Sequence, residues 1–508
     1  MLYLQVNTLE RDASRVLSLV RSVKNTFAPV NRIPPDVISL IPNHWEDGDR
    51  DENLVRLTHV CRGWRELLIS RPLLWTNLNC TDTEKTKTYI ERSKSCPLEI
   101  RVGKVNDAAF NWEEAFLLTI PHIGRLGTLS VSGSPANVLP VLTEHFSCPV
   151  PLLSNLKIVL TCDQPVALPD RLFDGDLSSL RELGLAGVIT SLPWRGLSNL
   201  TTLTLCHIPE DKILLTQLLD FFESAPRLHH VQFHDSIPNS RDAPAERLVS
   251  LPHLKELNIV AQPPHSILLD HLSIPIGTSL CLGFTFGGME TPIRSYLPRS
   301  LYNLRNLSHI TAAHLHFGLE PRYLELNGPS GELYMFCIRA LGGNQLNTVT
   351  IQNLLSLLTQ FDVSKNRWLA ITLCNSQPVA SLRVEAWGFY QTLRSMEDLR
   401  TLTLAECNNL PFIRILDPSD HCSKGVLCPK LEELNLYIKR PDQFHVEELL
   451  RMAGARAARG AKLSSMLIVS LIDAFITTKE VLKLRKHVSC VEYKLGDALP
   501  EWDTLPAV

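Results

Sequence analysis

The sequence has little excess charge of either sign. Its 50 basic and 53 acidic residues leave a formal net charge of −3. Nothing in that balance draws the chain to nucleic acid or to an anionic membrane. It also lacks a Cys-x-x-Cys pair, although it has 13 cysteines. An odd, scattered set of thiols in a long chain reads as reduced and intracellular, cytoplasmic or nuclear, rather than as a disulfide framework. No Gly-x-x-x-x-Gly-Lys-Ser/Thr loop and no Gly-x-Gly-x-x-Gly occurs, so neither common phosphate cradle is present. A leader pattern is not expected, because Glu10, Arg11 and Asp12 interrupt any early apolar run. Long uncharged runs are scarce too. Leu272 to Met289 contains Pro275 and four glycines, whereas a spanning helix needs about 20 apolar residues. A buried strand with turns is expected there. Leu463 to Ile476 carries Asp473 and is expected to be core.

The chemical groupings that do occur fail on spacing. Asp47, Asp49 and Asp51 alternate as calcium ligands would, but an EF-hand loop needs glycine at its sixth position and glutamate at its twelfth. Those positions are Glu52 and Thr58, so a solvated linker is expected. His229, His230 and His234 cluster on a predicted strand without a cysteine pair or acidic partner at metal spacing. They are expected on the surface, as are His314 and His316. Ser, His and Asp residues occur, but nothing places a triad together. Arg451, Arg456, Arg459 and Lys462 follow a predicted helix and are expected to form its solvated end. No catalytic residue, metal or cofactor is expected, and the chain is not read as an enzyme.

What is present is mostly core. At 508 residues with 44% hydrophobic content, the chain is folded and too long for one compact core. Residues 33–75 are the most informative stretch. Ile33-Pro34-Pro35-Asp36 opens it, and proline suits a first helical turn, where its missing N–H costs nothing. Val37, Ile38, Leu40 and Ile41 form a short apolar segment that Pro42 stops. After an acidic run, Asn53 is the expected N-cap of a second helix. Leu54, Leu57, Val60, Cys61, Trp64, Leu67 and Leu68 recur at three- and four-residue steps, as one face would. Pro72 ends this helix, and Leu73, Leu74 and Trp75 come next. A unit this small is short of core and exposes much apolar surface. Either it packs on the next domain, or another protein covers it.

The order Pro-Pro-Asp-Val-Ile, Leu-x-x-Leu-x-x-Val-Cys-Arg-x-Trp-Arg and Pro-Leu-Leu-Trp resembles the F-box motif. It is most similar to F-box proteins abundant in basidiomycete fungi. The link between the helices is longer and more acidic than in many F-boxes. The resemblance implies docking on a Skp-type adaptor, and through it on a cullin ubiquitin ligase. The residues it assigns to the adaptor are Ile33, Pro34, Val37, Ile38, Leu54, Leu57, Val60, Cys61, Trp64 and Leu68. Trp75 would instead brace the F-box against the first repeat.

Upstream, residues 1–30 hint at an amphipathic helix through Leu9, Val16, Leu19, Val20 and Val23, fenced by Pro29 and Pro34. Downstream, Leu-x-x-Leu-x-Leu keeps returning. Leu126/Leu129/Val131, Leu153/Leu156/Ile158, Leu180/Leu183/Leu185, Leu200/Leu203/Leu205, Leu228/Val231/Phe233 and Leu254/Leu257/Ile259 lead the series. A looser member, Leu280/Leu282/Phe284/Phe286, follows, and Leu307/Ile310/Ala312, Leu333/Phe336/Ile338, Leu346/Val349/Ile351 and Trp368/Ile371/Leu373 continue it. Leu399/Leu402/Leu404, Leu431/Leu434/Leu436, Leu463/Met466/Ile468 and Val488/Val491/Tyr493 close it. The members mostly lie about 20–32 residues apart, near the leucine-rich repeat period. Helix-like runs lie between them, at Leu214–Phe222 and Val446–Met452. One strand–helix unit cannot bury its apolar face alone, but stacked neighbours can. An ordinary α/β protein with parallel strands gives a similar pattern.

The expected fold is therefore α/β: a first segment over residues 1–30, F-box helices over 31–76, and a leucine-rich-repeat-like solenoid with a curved parallel sheet over 77–508. The expected function is that of a substrate-recognition subunit of an SCF-type ubiquitin ligase, whose repeats bind a target protein. The alternative is an F-box and leucine-rich-repeat interaction scaffold outside any ligase.

Overall fold

Alternation in Leu98, Ile100 and Val102 makes a strand with one buried face, and the same alternation recurs down the chain. The protein is described by a computed structural model. It covers residues 2–45, 47–80, 82–103, 112–162, 164–169, 172–175, 177–189, 197–238, 241–261, 266–285, 297–317, 322–327, 334–341, 358, 361, 363–372, 386–406, 409–419, 425–439, 444–471 and 475–496. The architecture is mixed α/β with a mainly parallel sheet. Two compact units divide the chain. The first is 1–183 with 187–196, and the second is 184–186 with 197–508.

The first unit begins with helices α1 (Leu2–Thr26), α2 (Pro35–Leu40), α3 (Asp47–Thr58), α4 (Arg62–Ile69) and α5 (Thr83–Ser93). Its strands Asn77–Asn79, Leu98–Val102, Leu126–Gly133 and Asn155–Leu160 pair side by side, parallel and in chain order. The compact unit thus runs past residue 76, where the sequence suggested a boundary. The N-terminal helices share it with these strands.

In the second unit, Thr202–Cys206, His230–His234, Glu256–Val260 and Ser279–Thr285 pair in the same parallel, sequential way. So do Trp368–Thr372, Thr401–Ala405, Glu433–Ile438, Ser465–Ser470 and Cys490–Leu495. The register aligns the repeated leucines: Leu203 with Val231 and Leu257, and Leu402 with Leu434 and Met466. All three positions of the triplets that begin at Leu200, Leu228, Leu254, Leu399, Leu431 and Leu463 are in the core. A fully buried Leu contributes roughly 1.5–3 kcal/mol. Aligned rows therefore outweigh the ordering entropy only when many strands share them.

A turn device repeats with the strands. Gly103, Gly133 and Gly187 in the first unit, and His207, Asp235 and Glu406 in the second, have positive φ at strand ends. The N–H groups of His207, Asp235 and Glu406 donate to His234 O, Val260 O and Tyr437 O of the neighbouring strands, at 2.7–2.8 Å. At Gly187 a side chain has no room, because a Cβ would lie 2.3 Å from Leu160 O.

In the main sheet, chain order fails among the described strands between Ser279 and Thr372. Ser279–Thr285 pairs with Tyr334–Leu341, which runs antiparallel to Arg322–Asn327. That strand runs antiparallel to Ala312–Phe317, which in turn pairs parallel with Trp368–Thr372. Two expected triplets shift here. The aligned residues are Ala313 and Leu315 rather than Ile310 and Ala312, and Leu369 and Ile371 rather than Ile371 and Leu373. Both faces of Trp368–Thr372 are buried, with Ala312, Trp368 and Ala370 packed on the second face. Where both faces are covered, alternation no longer marks the core side. Leu346/Val349/Ile351, Leu333 and Leu373 lie outside the described residues.

His314 is a further correction. It is buried, with Nε2 3.2 Å from Thr372 Oγ1, rather than on the surface. The basic cluster also differs from expectation. Arg456 is wholly buried, and Arg451 pairs with Asp417 at 3.1 Å. Leu272–Ser273, Ser279–Thr285 and Ser465–Ser470 are strands, as the two uncharged runs suggested. Among the described residues, no helix is long and apolar enough to cross a membrane.

Candidate adaptor interface

Proline at N1 starts α2, and Pro42 sits in the 3-10 turn Ile41–His44 that ends it. The acidic run is not a linker. It opens α3, which begins at Asp47, so Asn53 lies inside a helix instead of capping one. Acidic residues suit the positive end of a helix dipole. The expected single long helix is two, because Cys61 is extended with φ −157° and ψ 170°. Arg65 secures this break, its Nε donating to Thr58 O at 2.9 Å, the carbonyl that ends α3.

The break divides the ten expected adaptor residues. Ile38, Leu54, Trp64 and Leu68 are buried and form a small core among α2, α3 and α4. Trp64 is only 7% exposed, so it supports this unit from inside and is not presented to a partner. Ile33, Leu57 and Cys61 are half-buried, and Pro34 is exposed. Val37 and Val60 are 48% and 52% exposed. A continuous helix would have kept Val60 in phase with Trp64. The extended residue between them turns it outward.

Exposed apolar side chains outside the ten include Val55, at 36%, and two that are more open. Leu40 is 53% exposed and Leu73 is 68% exposed. The available sequence signal was a nearby proline in each case. In the 3-10 turn Pro72–Trp75, Leu74 and Trp75 point inward, and Leu73 is left on the open side. The Arg71–Asp36 ion pair, 2.5 Å, holds the first turn of α2 beside this segment.

Trp75 ties α4 to α5. Its Nε1 donates to Leu68 O at 2.9 Å. Its ring meets Tyr89 of α5 edge-on at 4.9 Å, and the Arg92 guanidinium lies 4.3 Å from its centroid. Lys85 of α5 pairs with Asp51 of α3 at 3.0 Å. Burial, reinforced by the Asp51 charge, pushes the Tyr89 hydroxyl up from its ordinary pKa. Burial likewise pushes the Cys80 thiol up to about 12, so it stays protonated and unreactive.

The strands offer a different surface. Along Thr202–Cys206, His230–His234 and Glu256–Val260, the residues between buried ones are half-exposed and largely polar. His230 Nδ1 lies 3.3 Å from Glu256 Oε2. Among the described residues, no group of three or more His, Cys, Asp or Glu side chains is arranged to hold a metal ion. No protein-family model matches the chain, and no curated protein matches it.

Proposed function

We propose that the chain is the substrate-recognition subunit of an SCF-type ubiquitin ligase. Its N-terminal helices dock on a Skp-type adaptor, and through it on a cullin. Its leucine-rich-repeat-like body holds a target protein. The observation that carries this reading is a braced helical unit with its own core that leaves Val37, Leu40, Val60 and Leu73 exposed. Aliphatic side chains held open on short helices and the fixed turns between them suit a partner's groove. The half-polar outer positions of the parallel strands suit a target peptide or protein surface. The chain itself breaks no bond on this reading. It supplies proximity and orientation to a conjugating enzyme that the complex recruits.

Val60→Asp combined with Leu73→Asp tests the reading. Both positions are open, so the fold should persist. Placing two charges in an apolar interface should cost about 2 kcal/mol or more, roughly thirtyfold in adaptor affinity. Co-purification with a Skp-type adaptor should fall accordingly while the melting temperature holds. Undiminished adaptor recovery from the folded variant would overturn the assignment. Trp64→Ala is no substitute for this test, because it removes core.

A further inference from the structure

Each residue of helix α1 from Thr8 to Arg21 is exposed. Val6, Leu9, Val16, Val20 and Val23 are 49–69% exposed, and Phe27 just beyond the helix is 71% exposed. With Ala13 they succeed one another at alternating three- and four-residue steps. That is the a/d seam of a coiled coil, sustained over the whole helix. A helix rich in β-branched valine gains little from intrinsic propensity, and helices draw most of their stability from packing on an apolar face. The seam has the pattern of a helix packed along a second helix.

The charges fit a second copy of α1. Before Ala13, α1 carries Glu10, Arg11 and Asp12; after it come Arg15, Arg21 and Lys24 with no acid. Two parallel copies would set the cationic halves together. Two antiparallel copies bring the acidic segment of each toward the cationic half of the other, and their helix dipoles also oppose. Antiparallel layers fall into step: Val6 against Val23, Ala13 against Val16, and Val20 against Leu9. We infer that α1 pairs antiparallel with α1 of a second copy, making the chain a homodimer through its N-terminal helix.

The test uses the full chain in sedimentation equilibrium. The wild type should approach twice the chain mass as concentration rises. Val16→Glu with Val20→Glu should hold it at the monomer mass, and Ser18→Glu, off the seam, should leave it dimeric. A wild type that stays monomeric throughout, or a seam variant that still dimerises, would overturn the inference. Orientation is read by oxidation. Val6→Cys with Val23→Cys should give a cross-link between positions 6 and 23 of different chains, mapped by peptide analysis. A cross-link from position 6 to position 6 would mean parallel pairing and would also overturn it.

Discussion

Trp75→Ala should unfold the N-terminal helices while leaving the second unit's transition in place. The ring is wholly buried and joins two helices at once. It holds Leu68 O of α4 through its indole N–H, and Tyr89 and Arg92 of α5 through its faces and edge. Truncating a buried aromatic of this kind costs about 3–5 kcal/mol, a large share of the stability that a small unit has. The Leu68 carbonyl would also lose one of its donors, keeping the Arg71 N–H at 3.2 Å. Trp75→Phe should cost less, because it keeps the packing against Tyr89. Urea denaturation followed by hydrogen exchange would read both. A Trp75→Ala midpoint within about 1 kcal/mol of wild type would contradict the bracing role.

Arg456→Ala should produce a loss of similar size in the second unit. Arg456 lies in the helix Val446–Ala458 and is fully enclosed. Its two terminal nitrogens each donate at 2.8 Å, one to Leu427 O and one to Cys428 O. Burial lowers the guanidinium pKa from its ordinary value, but arginine stays charged in proteins. Cys428 has φ +45°, so the turn whose carbonyls it holds is itself strained. Removing Arg456 strips two charge-assisted bonds and leaves a cavity, which together should cost about 3–5 kcal/mol. Arg456→Met keeps the stem volume, and should recover only the cavity part. Chemical denaturation would show a much smaller shift if Arg456 were merely a solvated helix end.

These two residues mark what the sequence could and could not say. Trp75 came forward as a brace only through the F-box resemblance, and its burial between α4 and α5 is what the structure adds. Arg456 was not legible, since a basic run after a helix looks solvated unless the chain places acceptors around it. The strand ladder was legible from its leucines wherever one face is open. It misaligned at Ala312 and Trp368, next to the reversed strands, where both faces of Trp368–Thr372 are buried. In α3 and α4, periodicity correctly picked residues that share a face. It read straight through Val60 and Cys61, because the break depends on Arg65 reaching Thr58 O, which apolar spacing does not encode. Nor does spacing tell whether a face is covered by the chain itself. Hence Ile38, Leu54, Trp64 and Leu68 proved to be core, while Leu40 and Leu73 stay open near their prolines.

The most direct test of the docking reading is amide hydrogen exchange on the full chain, alone and with a purified Skp-type adaptor. The account predicts slowed exchange in Val37–Leu40, in Leu57–Val60 and at Leu73, with the strands of the second unit unchanged. Exchange at those helices that stays the same while the adaptor is present in excess would contradict it.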